Sequence, residues 1–360
     1  MIHLNLLVLD GDGIGPEITA ATLDVLAAAG RVFDFTAHTR RELIGLRSLE
    51  VNGTTFLPDV LEAAREVDGL ILGPVSHNEY PDFSKGGLNP SGELRKHLDL
   101  FANIRPALSR GGFPPRCGKP VDLVVVLENT EGFYADRNMF AGSGEFMPTE
   151  DVALAVRKIT RKGSTRIAEH AFRLARQQRK KVTVVHKGNV LRVSDGLFLE
   201  CTRRVARDFP DVVVKEIIID AMAALLVRDA SAFDVIVTTN MYGDILSDIA
   251  AEISGSLGLA ASLNAGTDHA IAQPQHGSAP DIAGKDIIAN PASLIGSLAM
   301  LLAWLGERRS EPPLDQVAQA IERALNTAIG SPETRTADLG GNLGTRAFGK
   351  CVAAMIADGV

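Results

Sequence analysis

The chain has 360 residues, 46% hydrophobic and 22% charged, with a formal net charge of −7, which fits an ordinary soluble globular protein with room for two domains. The acidic balance argues against non-specific binding to nucleic acid or to an anionic membrane. Three scattered cysteines, Cys117, Cys201 and Cys351, show no metal or redox spacing, so a reducing cytoplasm is expected.

The N-terminal apolar run Leu4–Leu9 is too short for a signal peptide and ends in acidic Asp10. Asn5–Leu9 predicts a strand, followed by a helix from Pro16 to about Ala29. A helix over Asp59–Glu66 leads into a second strand, Gly69–Leu72, and Gly92–Leu100 predicts another helix. Leu123–Leu127 is a run of apolar residues suited to a fully buried strand. The Gly/Ser/Pro stretch Ala141–Pro148 reads as an exposed arm or loop, and Val152–Ile159 is β-rich. Thr165–Arg179 is amphipathic and helical, and strands are expected at Val182–Val185, Val212–Ile219 and Phe233–Thr238. Beyond Pro291 the chain is mostly helical, with Ile295–Leu305 apolar but too short to cross a membrane, hence a buried helix. Strands alternating with helices predict an α/β fold with a largely parallel sheet.

Chemistry-bearing residues gather at the ends of these strands. Gly11-Asp12-Gly13-Ile14-Gly15-Pro16-Glu17 follows the first strand, but its spacing is not that of the dinucleotide-binding glycine motif, and a tight strand-to-helix turn explains it alone. Arg95 and Arg105 offer planar forks suited to carboxylates. Glu128-Asn129-Thr130-Glu131-Gly132-Phe133-Tyr134 follows a buried strand, where α/β sites lie, and Tyr134 is a candidate general acid. Lys187 and Asn189 end another strand, and a lysine beside a divalent cation can serve as a base. Asp244 and Asp248 are four apart, on one face of a helix, and Asp220 closes a third strand. Three carboxylates with substrate oxygens and water make a plausible shell for Mg²⁺ or Mn²⁺. Taken singly, each aspartate reads better as a helix cap or a solvated face than as a metal ligand. His276-Gly277-Ser278-Ala279-Pro280-Asp281-Ile282 is a small-residue loop able to approach a phosphate, in which Asp281 would accept from ribose hydroxyls and repel a 2′-phosphate.

Together these motifs, above all NMYGDILSD at Asn240–Asp248 and HGSAPDIAGK at His276–Lys285, resemble the β-decarboxylating dehydrogenases of isopropylmalate, isocitrate, homoisocitrate and tartrate or D-malate. The resemblance spans nearly the whole chain. It implies a two-domain fold with a large central mixed sheet, not a Rossmann fold. One domain is discontinuous, roughly 1–100 plus 256–360, and binds the cofactor. The other, roughly 101–255, carries the metal site and an arm at about 140–160 that clasps a second subunit. It implies a homodimer with a shared active site between domains, in which Lys187 and Asp220 of one chain serve the metal held by Asp244 and Asp248 of the other. Catalysis then rests on Tyr134, Lys187 and Asp220, and substrate binding on Arg95, Arg105, Ser91 and Asn89. NAD would be held by Ile14, Asn189, His276, Gly277, Ser278, Asp281, Ile282 and Asn290.

Departures from the family pattern bear on substrate. Leu127 stands where a third substrate arginine is usual, with Arg137 as a candidate substitute. Gln273 replaces a glutamate, Ala221 an asparagine, and the loop Gly73–Asn78 lacks the usual glycines. Ser91 and Gly92 replace the leucines with which isopropylmalate enzymes discriminate an isopropyl group. The expectation is NAD- and metal-dependent oxidative decarboxylation of a 3-substituted malate, tartrate or D-malate first, then isopropylmalate, then isocitrate or homoisocitrate. A non-catalytic regulatory subunit is the alternative of a different class.

Overall fold

A computed structural model describes residues 2–134, 138–285 and 288–359. In chain order the first elements are β1 (Ile2–Leu9), α1 (Gly15–Val32), β2 (Phe35–Arg41), α2 (Gly45–Asn52), α3 (Pro58–Arg65), β3 (Gly69–Leu72) and α4 (Pro90–His97). There follow β4 (Ala102–Leu108), β5 (Asp122–Glu128), β6 (Glu145–Thr149), β7 (Val152–Ala155), α5 (Arg161–Gln177), β8 (Lys181–His186) and α6 (Ser194–Ala206). Next come β9 (Val213–Ile218), α7 (Ile219–Asp229), β10 (Val235–Thr238) and α8 (Asn240–Ser254). The chain ends with β11 (Ala261–Ala265), β12 (Ala270–Pro274), α9 (Ala292–Arg309), α10 (Pro312–Gly330) and α11 (Thr345–Ala357).

The chain divides into two compact units, the first being Met1–Leu98, Arg110–Pro114 and Ser256–Val360, the second Asp99–Ser109 and Pro115–Gly255. In the first, the strands run in the order β2-β1-β3-β12-β11. All neighbours are parallel except β11 and β12. Residues Leu6 to Leu9 are buried in succession, as a central parallel strand covered on both faces requires. Helix α9 supplies Leu294, Ile295, Leu298, Leu301, Leu302 and Leu305, all buried, so the apolar run is a core helix. Among the described residues no helix is long and apolar enough to cross a membrane.

In the second unit the order is β4-β5-β10-β8-β9, with β4 and β5 antiparallel and the rest parallel. Alternation divides its core in two. Val124, Val126, Val182, Val184, Val235 and Val237 face α5 and α6, while Leu123, Val125, Leu127 and Ile236 face α7 and α8. Strands β6 and β7 form a separate antiparallel hairpin with every residue exposed.

Several boundaries differ from expectation for identifiable reasons. Part of the stretch read as arm or loop is strand β6, since backbone pairing with β7 compensates for its poor composition. Asp220 does not close a strand, because Ile219 already opens α7 and Asp220 lies in its first turn. Helix α4 starts at Pro90 rather than Gly92, capped by Asn89, whose side chain accepts from Gly92 N. Strand β2, the polar FTAHTRR, and strand β11, the small and polar ASLNA, carry no apolar alternation to announce them.

Candidate active site

The second unit gathers one set of predicted residues around α8. Asp244 and Asp248 lie one turn apart on that helix, Asp248 exposed and Asp244 half-buried. The two oxygens of Asp244 are addressed by different groups. Arg105 Nη2 lies 2.8 Å from Oδ1, and the Tyr134 hydroxyl donates to Oδ2 at 2.9 Å. Arg105 is fixed further by donating through Nε to Asn103 Oδ1 at 3.2 Å and through Nη1 to Ser247 Oγ at 2.9 Å. Asn103 was given no role in sequence, and Ser247, though inside the NMYGDILSD motif, was given none either; its hydroxyl also donates to Asp244 O at 3.0 Å.

Helix α8 can approach β5 this closely because of Gly243. A Cβ there would lie 2.3 Å from Leu127 Cβ. Leu127 is buried in the core and points at that glycine.

Lys187 and Asp220 form a second group within this unit, with Lys187 Nζ donating to Asp220 Oδ1. That ammonium holds the Asp220 carboxyl below the usual carboxylate range. His186, given no role from sequence, has a structural one: its Nδ1 accepts from Gly188 N at 2.9 Å. Burial lowers its pKa, in keeping with a neutral ring. Asn189 is exposed in the turn that follows. Among the described residues, no group of three or more His, Cys, Asp or Glu side chains could hold a metal, so Asp220 does not join Asp244 and Asp248 within one chain. Arg137 lies outside the described residues.

The first unit assembles the predicted cofactor residues. Ile14, His276, Gly277, Ile282 and Asn290 line a cavity of about 260 Å³, together with Gly258, Ala279, Ile288 and Asp338. The His276 ring turns Nδ1 to Gly277 O at 2.9 Å, and its buried Nε2 has no partner among the described residues. Burial holds the ring well below the usual histidine pKa, so it is neutral at physiological pH. A neutral ring nitrogen, orphaned at a cavity wall of small and apolar residues, fits a heterocyclic base. Asp338, missed in sequence because the Gly-rich tail offered no pattern, accepts from Asn290 Nδ2 at 3.0 Å and adds a carboxylate to the wall.

Ser278 serves differently: its carbonyl accepts from Ile14 N at 2.9 Å and its hydroxyl meets Ser76 Oγ at 2.8 Å. It thereby ties the glycine turn to the cofactor loop. Gly13 permits the approach, with φ +55° and an added Cβ only 2.0 Å from Ser278 O. Asp12 fastens the other side, accepting from Leu46 N at 2.7 Å, from Ser76 N at 2.9 Å and from the Tyr80 hydroxyl. Asp281 is exposed in a single 3₁₀ turn, Pro280–Ile282.

Of the substrate candidates here, Asn89 caps α4, and Ser91 donates its hydroxyl to Gln273 Oε1 at 3.1 Å. Arg95 Nη2 and Asn264 Nδ2 donate to that same oxygen, each at 3.1 Å. Gln273 is therefore a hub that the sequence marked only as a departure.

The model of the isocitrate/isopropylmalate dehydrogenase family matches residues 5–352. The chain belongs to that family. An isocitrate/homoisocitrate dehydrogenase of Thermus thermophilus is 41% identical over 348 residues, 96% of each chain. A 3-isopropylmalate/3-methylmalate dehydrogenase of Methanocaldococcus jannaschii is 39% identical over 344 residues, 94% of each. The crystal structure of isocitrate dehydrogenase from Methylococcus capsulatus superposes with a TM-score of 0.86 at 37% identity, covering 98% of this chain and 99% of that one. The fold is thus the mixed α/β architecture of this family of decarboxylating hydroxy-acid dehydrogenases, and the glycine turn at Gly11 belongs to it rather than to a Rossmann fold.

Proposed function

We propose that this protein is an NAD- and divalent-metal-dependent enzyme that oxidises and decarboxylates a 3-substituted malate of the isocitrate or homoisocitrate kind, working as a homodimer. The observation that carries the reading is the Asp244 carboxylate, which receives both the Tyr134 hydroxyl and the Arg105 guanidinium. An acid, a substrate-binding cation and a hard oxygen ligand meet at one group.

The donor set fits both cofactors. Asp244 and Asp248 offer hard oxygens one turn apart, suited to Mg²⁺ or Mn²⁺, and Asp220 of a second copy would complete the set. Such an ion supplies a Lewis acid for the substrate oxygens, and NAD supplies the hydride acceptor. His276, Ile14, Gly277, Ile282, Asn290 and Asp338 suit the adenosine end of NAD, with Asp281 disfavouring a 2′-phosphate and Asn189 at the nicotinamide end.

The chain's own groups then have distinct tasks. Arg95 and Arg105 hold substrate carboxylates. Lys187, in its neutral amine form, accepts the hydroxyl proton as hydride leaves C2. After loss of CO₂, Tyr134 returns a proton to C3. Asn89 and Ser91 shape the C3 pocket from beneath, since their polar groups are engaged within the protein.

The substituent follows from two supports. Ser91 and Gly92 give an isopropyl group little apolar surface, and the Thermus relative acts by name on isocitrate and homoisocitrate. The relative's name moves the reading away from tartrate or D-malate. Isopropylmalate is the second reading, favoured by the name of the Methanocaldococcus relative.

A panel of isocitrate, homoisocitrate, isopropylmalate, D-malate and tartrate with NAD and Mn²⁺, read as NADH formation, tests the proposal. Isocitrate or homoisocitrate should turn over fastest. No NADH from any acid would leave a non-catalytic regulatory subunit as the better account.

A further inference from the structure

Arg157 follows the exposed hairpin, yet its side chain is only 7% exposed and pairs with Asp195, which is fully buried. Neither residue belongs to any motif read from the sequence. One oxygen of Asp195 takes Arg157 Nη1, and the other takes the backbone N–H of Lys187. The same guanidinium donates through Nη1 to Ser194 Oγ at 3.2 Å and through Nη2 to Thr239 Oγ1 at 2.8 Å. Thr239 is the residue that precedes α8, the helix of Asp244 and Asp248. The guanidinium carbon also lies 5.1 Å from the Tyr242 ring centroid and 5.8 Å from that of Phe133, the residue before Tyr134.

We infer that Arg157, acting through Asp195, is a positioning residue that holds the Lys187 backbone, the start of α8 and the Phe133–Tyr134 segment in one register. This rests on the reading of Lys187 and Tyr134 as base and acid.

The chemistry of the pair supports a task beyond stability. A buried ion pair contributes little net stability over a well-packed apolar replacement, so its value lies in what its geometry specifies. Here the carboxylate is aimed at a backbone N–H, which fixes where the Lys187 side chain leaves the chain. The fork reaches three acceptors while its faces meet aromatic rings. Lysine, a point charge on a flexible stem, cannot reproduce that set. Arg157 touches no reacting atom and is not itself catalytic.

The test compares Arg157→Lys, Arg157→Met and Asp195→Asn with Lys187→Met and Tyr134→Phe, using whichever acid of the panel above turns over fastest. Arg157→Lys should lower kcat by about tenfold or more, equal to about 1.4 kcal/mol on the barrier. KM for NAD should stay within about twofold, because no ground-state cofactor contact is lost. Hydrogen exchange, which needs no substrate, should quicken in peptides covering 186–192 and 129–134 and stay unchanged in α5. If Arg157→Met does not fold, Arg157→Lys and Asp195→Asn carry the comparison. Wild-type kcat and exchange in Arg157→Lys, with Lys187→Met inactive, would overturn the inference alone. A rise in NAD KM together with faster exchange throughout would overturn it as general loosening. Full turnover in Lys187→Met would overturn the catalytic reading and this inference with it.

Discussion

Glu128, at the end of β5, is a buried carboxyl whose titration contributes to the pH dependence of stability. It is 2% exposed. Its Oε2 accepts from Thr130 N at 2.9 Å and Glu131 N at 2.8 Å, and its Oε1 from Thr130 Oγ1 at 2.6 Å. Arg166 Nη2 lies 3.9 Å away. Burial, with the neighbouring Glu131 adding to it, outweighs those donors and pushes the carboxyl up to about 7. The unfolded value is near 4.3, so between the two the native state binds more protons, and stability falls as pH rises through the folded value. Lowering the pH from 8 to 5.5 should therefore stabilise the protein by about 2 kcal/mol through this group. Glu128→Gln removes the titration while its amide oxygen still serves both N–H groups and its NH₂ can donate to the Thr130 hydroxyl. Urea unfolding of both proteins at the two pH values isolates the effect. Wild type should lose about 2 kcal/mol more than the variant on going from pH 5.5 to 8. Parallel pH profiles would refute the reasoning.

Other consequences follow from the same geometry. Gly243→Ala should destabilise by about 2–4 kcal/mol, because its methyl group meets Leu127 Cβ. Leu127→Ala in the same chain should recover part of that loss in thermal melts, whereas additive losses would refute the clash. Asn290→Ala and Asp338→Ala should each raise KM for NAD about tenfold with kcat little changed, as loss of a binding contact does; an unchanged KM would remove both from the cofactor site. Mixed refolding of inactive Lys187→Ala and Asp244→Asn chains should restore part of the activity in heterodimers. No recovery, with heterodimers present by mass spectrometry, would refute the shared site.

The legible parts of the sequence were those with periodicity or motif. Leu123–Leu127 and Gly69–Leu72 announced themselves by unbroken apolar runs, because both faces of those strands are covered. Strand β11 did not: Ser262 and Asn264 are buried, but their polar groups are satisfied by hydrogen bonds to Gln273, which only the folded chain brings near. The same limit applies at the site. Tyr134 and Asp244 could be named from their motifs, while Asp195 and Arg157 belong to no local pattern and meet across 38 residues, and Ser247 acquires its task only from Arg105, 142 residues away. Asp338 sits in a glycine-rich tail whose periodicity says nothing of the cavity wall it joins.

Leucine at 127 bears on the substrate recognition proposed above. Its side chain lies on the face of β5 that packs against α8, with Asn103 as its cross-strand neighbour. It packs in an apolar cluster that includes Val125, Val185 and Leu246, where an unpaired arginine would be costly. The next residue on this face of β4 is Arg105, two residues beyond Asn103 on the same strand. Nε is held by Asn103, one N–H of Nη1 by Ser247 and one of Nη2 by Asp244. Held by three neighbours, Arg105 would lose little side-chain entropy on binding a substrate carboxylate in the way proposed above.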